Sequence, residues 1–186
     1  ALLIYYLCLQ WKQNGKLDGT QYVVKTVVTT ELIKDIANYF GIECYDTLTG
    51  FKHIAGLIKK FEGQKTFIGG GEESYGYLIG DFVRDKDAVA SCAMIAEMAA
   101  WAKDQDKSIE ELLEEVYSQF GMYLEDLISL TKKGKSGAEE IQEMMKQYRS
   151  DTPDMIVGSK IEWLIDYESQ KAKNLLTGEE HTLDFP

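Results

Sequence analysis

The chain has 186 residues, 45% of them hydrophobic, and its 31 acidic residues against 20 Lys and Arg leave a net charge of -11. That is enough apolar material to bury a real core in one or two domains. With no basic cluster to offset it, the charge argues against nucleic acid and against an anionic membrane as partners.

Cys8, Cys44 and Cys92 are odd in number, far apart and set in apolar text. They read as reduced core thiols of a cytosolic protein, without metal-ligand spacing. Two histidines, His53 and His181, cannot build a histidine-rich metal site. The opening run ALLIYYLCLQW reads as a helix, too short to span a bilayer and without a basic flank or cleavage site. Its abrupt start, with neither Met nor helix cap, is what a cut through a longer protein would produce.

Residues 21–28 are β-rich and lead to Thr29 and Thr30, both suited to capping a helix start. Leu32, Ile33, Ile36, Ala37 and Phe40 recur at helical spacing, and Gly41 stands where a C-terminal cap belongs. A short strand at 42–47 runs into Thr49 and Gly50. These open a second amphipathic helix that carries Phe51, Ile54, Ala55, Ile58 and Phe61 on one face, with Thr49 as its expected cap. Strands at 66–69 and 77–82 follow, then a helix from about 87 to 103. The βαβαβ order predicts a mixed, mostly parallel sheet covered by helices. In such sheets ligands bind beyond the carboxyl ends of the strands, so the Thr49 turn and the loop after residue 69 are expected on one rim.

A composition change near residue 105 divides residues 1–105 from a partial α+β segment at 106–186. Ser108 with Glu111 and Ser136 with Glu139 form capping-box patterns for two helices. Strands are expected at 122–130, 161–167 and 172–176, with Thr177 and Gly178 as a turn. The end at Phe185 and Pro186 leaves that sheet short of partners, and exposed edges there could drive a homodimer.

The stretch GGGEESYGYLIGDFVRDKD, residues 69–87, carries the chemistry. Its glycines allow backbone conformations closed to other residues, so polar groups can approach a ligand. Phosphate is a poor ligand for it, because Glu72 and Glu73 repel anions. Ser74 stands where a dinucleotide fingerprint needs its third glycine, and no P-loop lysine follows. Carboxylates beside a hydroxyl suit vicinal alcohols such as those of a sugar ring. A hairpin with a solvated acidic tip is the plain alternative.

The stretches TGFK at 49–52, GEESYG at 71–76 and RDKD at 84–87, in this order and spacing, resemble the α-D-phosphohexomutase superfamily. The phosphoglucomutase branch is the most similar, and the likeness extends along the whole chain. It implies the third domain of a four-domain enzyme at 1–105, then the interdomain helix and first part of the fourth domain. The family moves a phosphoryl group between the 1- and 6-positions of a hexose phosphate through a phosphoserine and a bisphosphorylated sugar. By motif position, Glu72 and Ser74 would bind the 3- and 4-hydroxyls, and Thr49 and Lys86 would approach the substrate. Gly50, Lys52, Glu73 and Arg84 are secondary candidates. Glu73 has the alternative of orienting the loop, and Lys52 and Arg84 of neutralising nearby carboxylates. Asp85 and Asp87 flank Lys86, which suits hydrogen bonding and charge complementation better than proton transfer.

The resemblance also implies Mg2+ and glucose 1,6-bisphosphate in the parent protein, held by loops that this sequence does not contain. Its phosphoserine loop, its Asp-x-Asp-x-Asp-Arg loop and its Arg-x-Ser-Gly-Thr loop are nowhere in the 186 residues, so the chain alone is expected to be inactive. A phosphopentomutase or phosphomannomutase of the same superfamily is the nearest alternative. From another class, Glu72, Glu73, Asp81, Asp85 and Asp87 could make an acidic interaction or ion-binding domain, although they lack the ligand spacing of a calcium loop.

Overall fold

The computed structural model describes residues 1–183; Phe185 and Pro186, expected to end the second segment, lie outside the described residues. The chain forms two compact units, Ala1–Glu125 and Asp126–Pro186.

The first unit runs α1 (Leu2–Gln13), β1 (Gln21–Thr26), α2 (Leu32–Phe40), β2 (Glu43–Thr47), α3 (Phe51–Lys60), β3 (Thr66–Gly71), β4 (Tyr77–Ile79), α4 (Ala88–Lys103) and α5 (Ile109–Phe120). Its sheet has the order β2-β1-β3-β4; β1 pairs in parallel with β2 and β3, and β4 returns antiparallel to β3. This is the mostly parallel sheet expected from the βαβαβ order. Every residue of β1 is buried, because the strand is central and covered on both faces.

On one face, Ile4 and Leu7 of α1 pack with Leu32 and Ile36 of α2 over Val23 and Ile68. On the other, Phe51, Ile54, Leu57 and Ile58 of α3 pack on Tyr22, Val24, Phe67 and Leu78. The helical spacings of α2 and α3 thus become the two outer layers that fix the sheet. Asp87 caps α4 by accepting from the amides of Val89 at 3.0 Å and Ala90 at 3.2 Å. Ser108 and Glu111 close both bonds of the capping box at α5, 3.1 and 2.7 Å. That helix packs into the first unit through the buried Leu112 and Val116, so the packing boundary falls after Glu125 and not near residue 105.

Three local expectations are corrected. Thr29 does not cap α2, since its hydroxyl turns to Thr26; Thr30 Oγ1 accepts from the Leu32 amide at 3.2 Å. β4 ends at Ile79 and does not reach residue 82, because Gly80 takes φ 68° and turns the chain. Residues 122–130 form no strand: Tyr123 packs on the α1/α2 cluster and donates to Asp35, while Leu124, Leu127 and Ile128 stay exposed.

The second unit holds α6 (Gly134–Ser150), the hairpin β5 (Met155–Ile156) and β6 (Ser159–Lys160), and the antiparallel sheet β7 (Trp163–Asp166), β8 (Lys171–Asn174) and β9 (Glu180–Thr182). The strands expected at 161–167 and 172–176 appear as β7 and β8; β5, β6 and β9 are additional. The Ser136 capping box is not formed. α6 begins at Gly134 with Lys133 as its cap, which places Ser136 inside the first turn. Arg149 joins α6 to the sheet by donating from Nε to Asp166 Oδ2 at 2.9 Å and from Nη2 to Glu168.

Candidate functional site

The glycines before the acidic loop do not form a cradle. Gly69, Gly70 and Gly71 lie inside β3 and are there for packing. A Cβ at Gly70 would stand 2.4 Å from the Val24 carbonyl oxygen, and one at Gly71 would stand 2.4 Å from the Tyr77 ring. They let β3 sit close to β1 and β4, which corrects the expectation that their conformational freedom serves a ligand. The loop proper is residues 72–76, closed by the Glu72 amide donating to the Gly76 carbonyl at 2.8 Å. Its left-handed residue is Tyr75 at φ 68°, which is 97% exposed.

The turn after β2 meets this loop. Glu72 Oε1 accepts from the Gly50 amide at 2.8 Å, so the ends of β2 and β3 share one rim, as the topology predicted. Gly50 caps α3 in a conformation, φ 112° and ψ 118°, that an L side chain rarely takes. A carboxylate from a neighbouring loop thus reaches the positive end of a helix. The expected Thr49 cap is absent: no side chain caps α3, and Thr49 is exposed beside Gly50.

The second oxygen of Glu72 lies over Gly76, where a Cβ would be 2.7 Å from Oε2 and 2.7 Å from Cδ of Lys86. Bare backbone at Gly76 therefore lets the carboxylate and the lysine stem converge. Lys86 Nζ pairs with Asp85 at 3.0 Å and lies 5.3 Å from the centroid of the Phe51 ring. Glu72, Ser74 and Lys86, with Tyr75 and Gly76, line one cleft of about 560 Å³ whose lining also includes the apolar Leu3 and Ile95. A carboxylate, a hydroxyl and an ammonium beside apolar lining can bind a polyol face through hydrogen bonds in both directions.

Other expected residues lie elsewhere. Glu73 turns to β1 and accepts from Thr26 Oγ1 at 2.8 Å. Arg84 pairs with Glu62 at 2.6 Å, and Lys52 is exposed with its stem beside Gly50. Thr49, Lys52 and Arg84 do not line the cleft. The carboxylates of the acid-rich stretch are dispersed in the same way, with Glu73 on Thr26 and Asp87 on the α4 amides. Among the described residues no three His, Cys, Asp or Glu side chains stand together as a metal site.

Two partners of the site escaped the sequence reading. Thr26 and Lys25 end the central strand, and Lys25 is fully buried between Glu31 and Asp46, each at 2.6 Å. Burial pushes the Lys25 pKa down, but the hydrogen bonds and charges of Asp46 and Glu31 outweigh it and raise the value. Their sequence signal is a Lys-Thr pair closing the strand QYVVKT after the apolar Tyr22, Val23 and Val24.

Residues 2–120 match the family described as phosphoglucomutase/phosphomannomutase, alpha/beta/alpha domain III. The chain belongs to the phosphoglucomutase/phosphomannomutase family. This domain III match ends at the last residue of α5, in keeping with the packing of that helix into the first unit. A phosphoglucomutase of Staphylococcus haemolyticus (strain JCSC1435) is 32% identical over 186 residues, 100% of this chain and 33% of the relative. One of Staphylococcus aureus (strain MRSA252) is 35% identical over the same 186 residues and shares. The chain thus spans about a third of the length of these relatives. A crystal structure assigned as a phosphomannomutase from Thermus thermophilus shares the fold with a TM-score of 0.51 at 22% identity, over 72% of this chain and 30% of that one. Among the described residues, no helix of this family member is long and apolar enough to cross a membrane.

Proposed function

We propose that the chain is the sugar-reading part of a phosphoglucomutase that interconverts glucose 1-phosphate and glucose 6-phosphate. The observation that carries this is the convergence of Glu72, Ser74 and Lys86 on one cleft, with Glu72 held by the Gly50 amide. One oxygen of Glu72 is committed to the protein, and the other is left to accept from a ring hydroxyl. Ser74 can donate or accept, so the pair can read vicinal hydroxyls in either orientation of the sugar. That reversibility is what a mutase needs when a bisphosphorylated intermediate turns over in its site.

Lys86 complements charge at the rim and hydrogen-bonds the substrate, and Thr49, outside the cleft on the exposed neighbouring turn, meets the part of the substrate that extends beyond it. Phosphate is bound outside this chain, because the acidic loop disfavours it. Mg2+, the phosphoserine and the bisphosphate activator belong to the rest of the parent protein. The isolated 186 residues therefore give no turnover. Three unpaired cysteines support a cytoplasmic protein.

The test is a mutase assay on the full-length parent with glucose 1-phosphate. Glu72→Ala and Ser74→Ala should each lower kcat/KM by roughly 10- to 100-fold, the worth of a hydrogen bond involving a charged group. Full activity in both folded variants would remove these residues from substrate binding. An inactive wild type would remove the glucose phosphate assignment.

A further inference from the structure

We infer that Glu73 is a positioning residue and that Thr26, at the end of the central strand, is its anchor. The inference rests on the sugar-reading role proposed for the loop. Glu72 and Glu73 are adjacent, yet the fold sends their carboxylates to different elements: Glu72 to the Gly50 amide, Glu73 to Thr26 Oγ1. The loop is therefore tied at two points, to the turn after β2 and to the end of β1. Ser74 and Tyr75 follow the second tie directly.

The anchor is built with care on the β1 side. Thr26 is fully buried, and its hydroxyl also lies 2.7 Å from Thr29 Oγ1. One hydroxyl carries one proton, so donation to Glu73 means that Thr29 donates to Thr26. The result is a chain, Thr29 to Thr26 to carboxylate, in which each bond polarises the next. Beside it, buried Lys25 binds the Thr29 carbonyl at 3.3 Å and pairs with Glu31 and Asp46, which fixes the 27–31 turn against β2. Val27 donates to the Thr47 carbonyl at 2.9 Å and completes the frame. Glu73 does not line the cleft that Glu72, Ser74 and Lys86 share. Its acidity serves the anchor, and the sugar is read by its neighbours.

Thr26→Val and Glu73→Ala in the full-length parent separate this role from direct sugar contact. Each single variant should lower kcat/KM for glucose 1-phosphate by about tenfold, and the double variant no further, since both break the same Glu73–Thr26 bond. Glu73→Gln and Thr26→Ser keep acceptor and donor and should recover most of the loss. If Glu73→Ala lowers kcat/KM while Thr26→Val does not, or if the two losses multiply, Glu73 acts on the substrate and the inference is overturned. Amide hydrogen exchange gives a readout that needs no turnover. Both Ala and Val variants should speed exchange at the Glu72 and Gly50 amides, and unchanged exchange in both overturns the tether. An inactive parent with altered exchange would sink the glucose phosphate reading and leave the tether standing.

Discussion

Two residues at the rim hold energy that their neighbours do not. Tyr75 adopts a left-handed backbone with its side chain in solvent, so no packing of its own offsets the strain. Tyr75→Gly should raise unfolding free energy by about 0.5–1 kcal/mol in chemical denaturation, after the extra entropy of glycine is subtracted; a loss of stability would place the ring in a contact. Lys25 is the opposite case, a buried charge whose partners Glu31 and Asp46 are 55% and 29% exposed. Lys25→Met should cost about 2 kcal/mol, less than the ~3–5 kcal/mol of a fully buried pair, because Glu31 can resolvate. The Lys25 pKa is raised on folding, so its contribution is complete below the ordinary lysine value of 10.5. It is lost as pH climbs through the raised value, and Lys25→Met should lack that alkaline component.

At the scale of elements, the helices follow from sequence and several strands do not. α2 and α3 show apolar faces at 3.6-residue spacing, Gly41 ends α2, and the Ser108 capping box opens α5. The strand expected at 122–130 fails because an extended apolar stretch needs a partner edge. The chain there uses its aromatic, Tyr123, to reach Asp35 in α2. In the second unit, α6 is held to β7 by Arg149 on Asp166 and Glu168. The Arg149 guanidinium, with the Ser169 hydroxyl, holds the Asp166 carboxyl well below its ordinary 3.8. That stabilisation is present above the ordinary value and lost as pH falls through the lowered one. Acid titration followed by NMR should loosen β7–β8 amides below about pH 4. Asp166→Asn should remove the pH dependence and lower stability at neutral pH by less than ~1 kcal/mol, the worth of a largely solvated pair. An unchanged titration in that variant would assign the acid sensitivity elsewhere.

For the molecule as a whole, residues 121–133 carry no regular structure and are exposed almost throughout, between one compact unit and the next. Limited proteolysis should cut there first, at Leu127 or at Lys132 and Lys133 with the matching protease, and leave a resistant piece ending beyond α5. Early cuts between residues 103 and 109 would instead favour a boundary near residue 105. The buried Leu112 and Val116 make that outcome costly.

The sequence by itself determined the sheet class, the helix faces and the family, because periodicity, capping and spaced motifs are local signals. It also placed the Thr49 turn and the acidic loop on one rim, since parallel strands bring their carboxyl ends together. Motif position put Glu72 ahead of Glu73 at the sugar, but only the tertiary structure supplies the physical reason that their carboxylates part. Glu72 and Glu73 are identical in chemistry and adjacent in sequence, and what separates them is the Gly50 amide on one side and buried Thr26 on the other. Tertiary structure also turned the glycines of β3 from a ligand cradle into packing contacts. A missing Cβ can serve a turn or a close neighbour, and the neighbour, Val24 or Tyr77, appears only once the strands are paired.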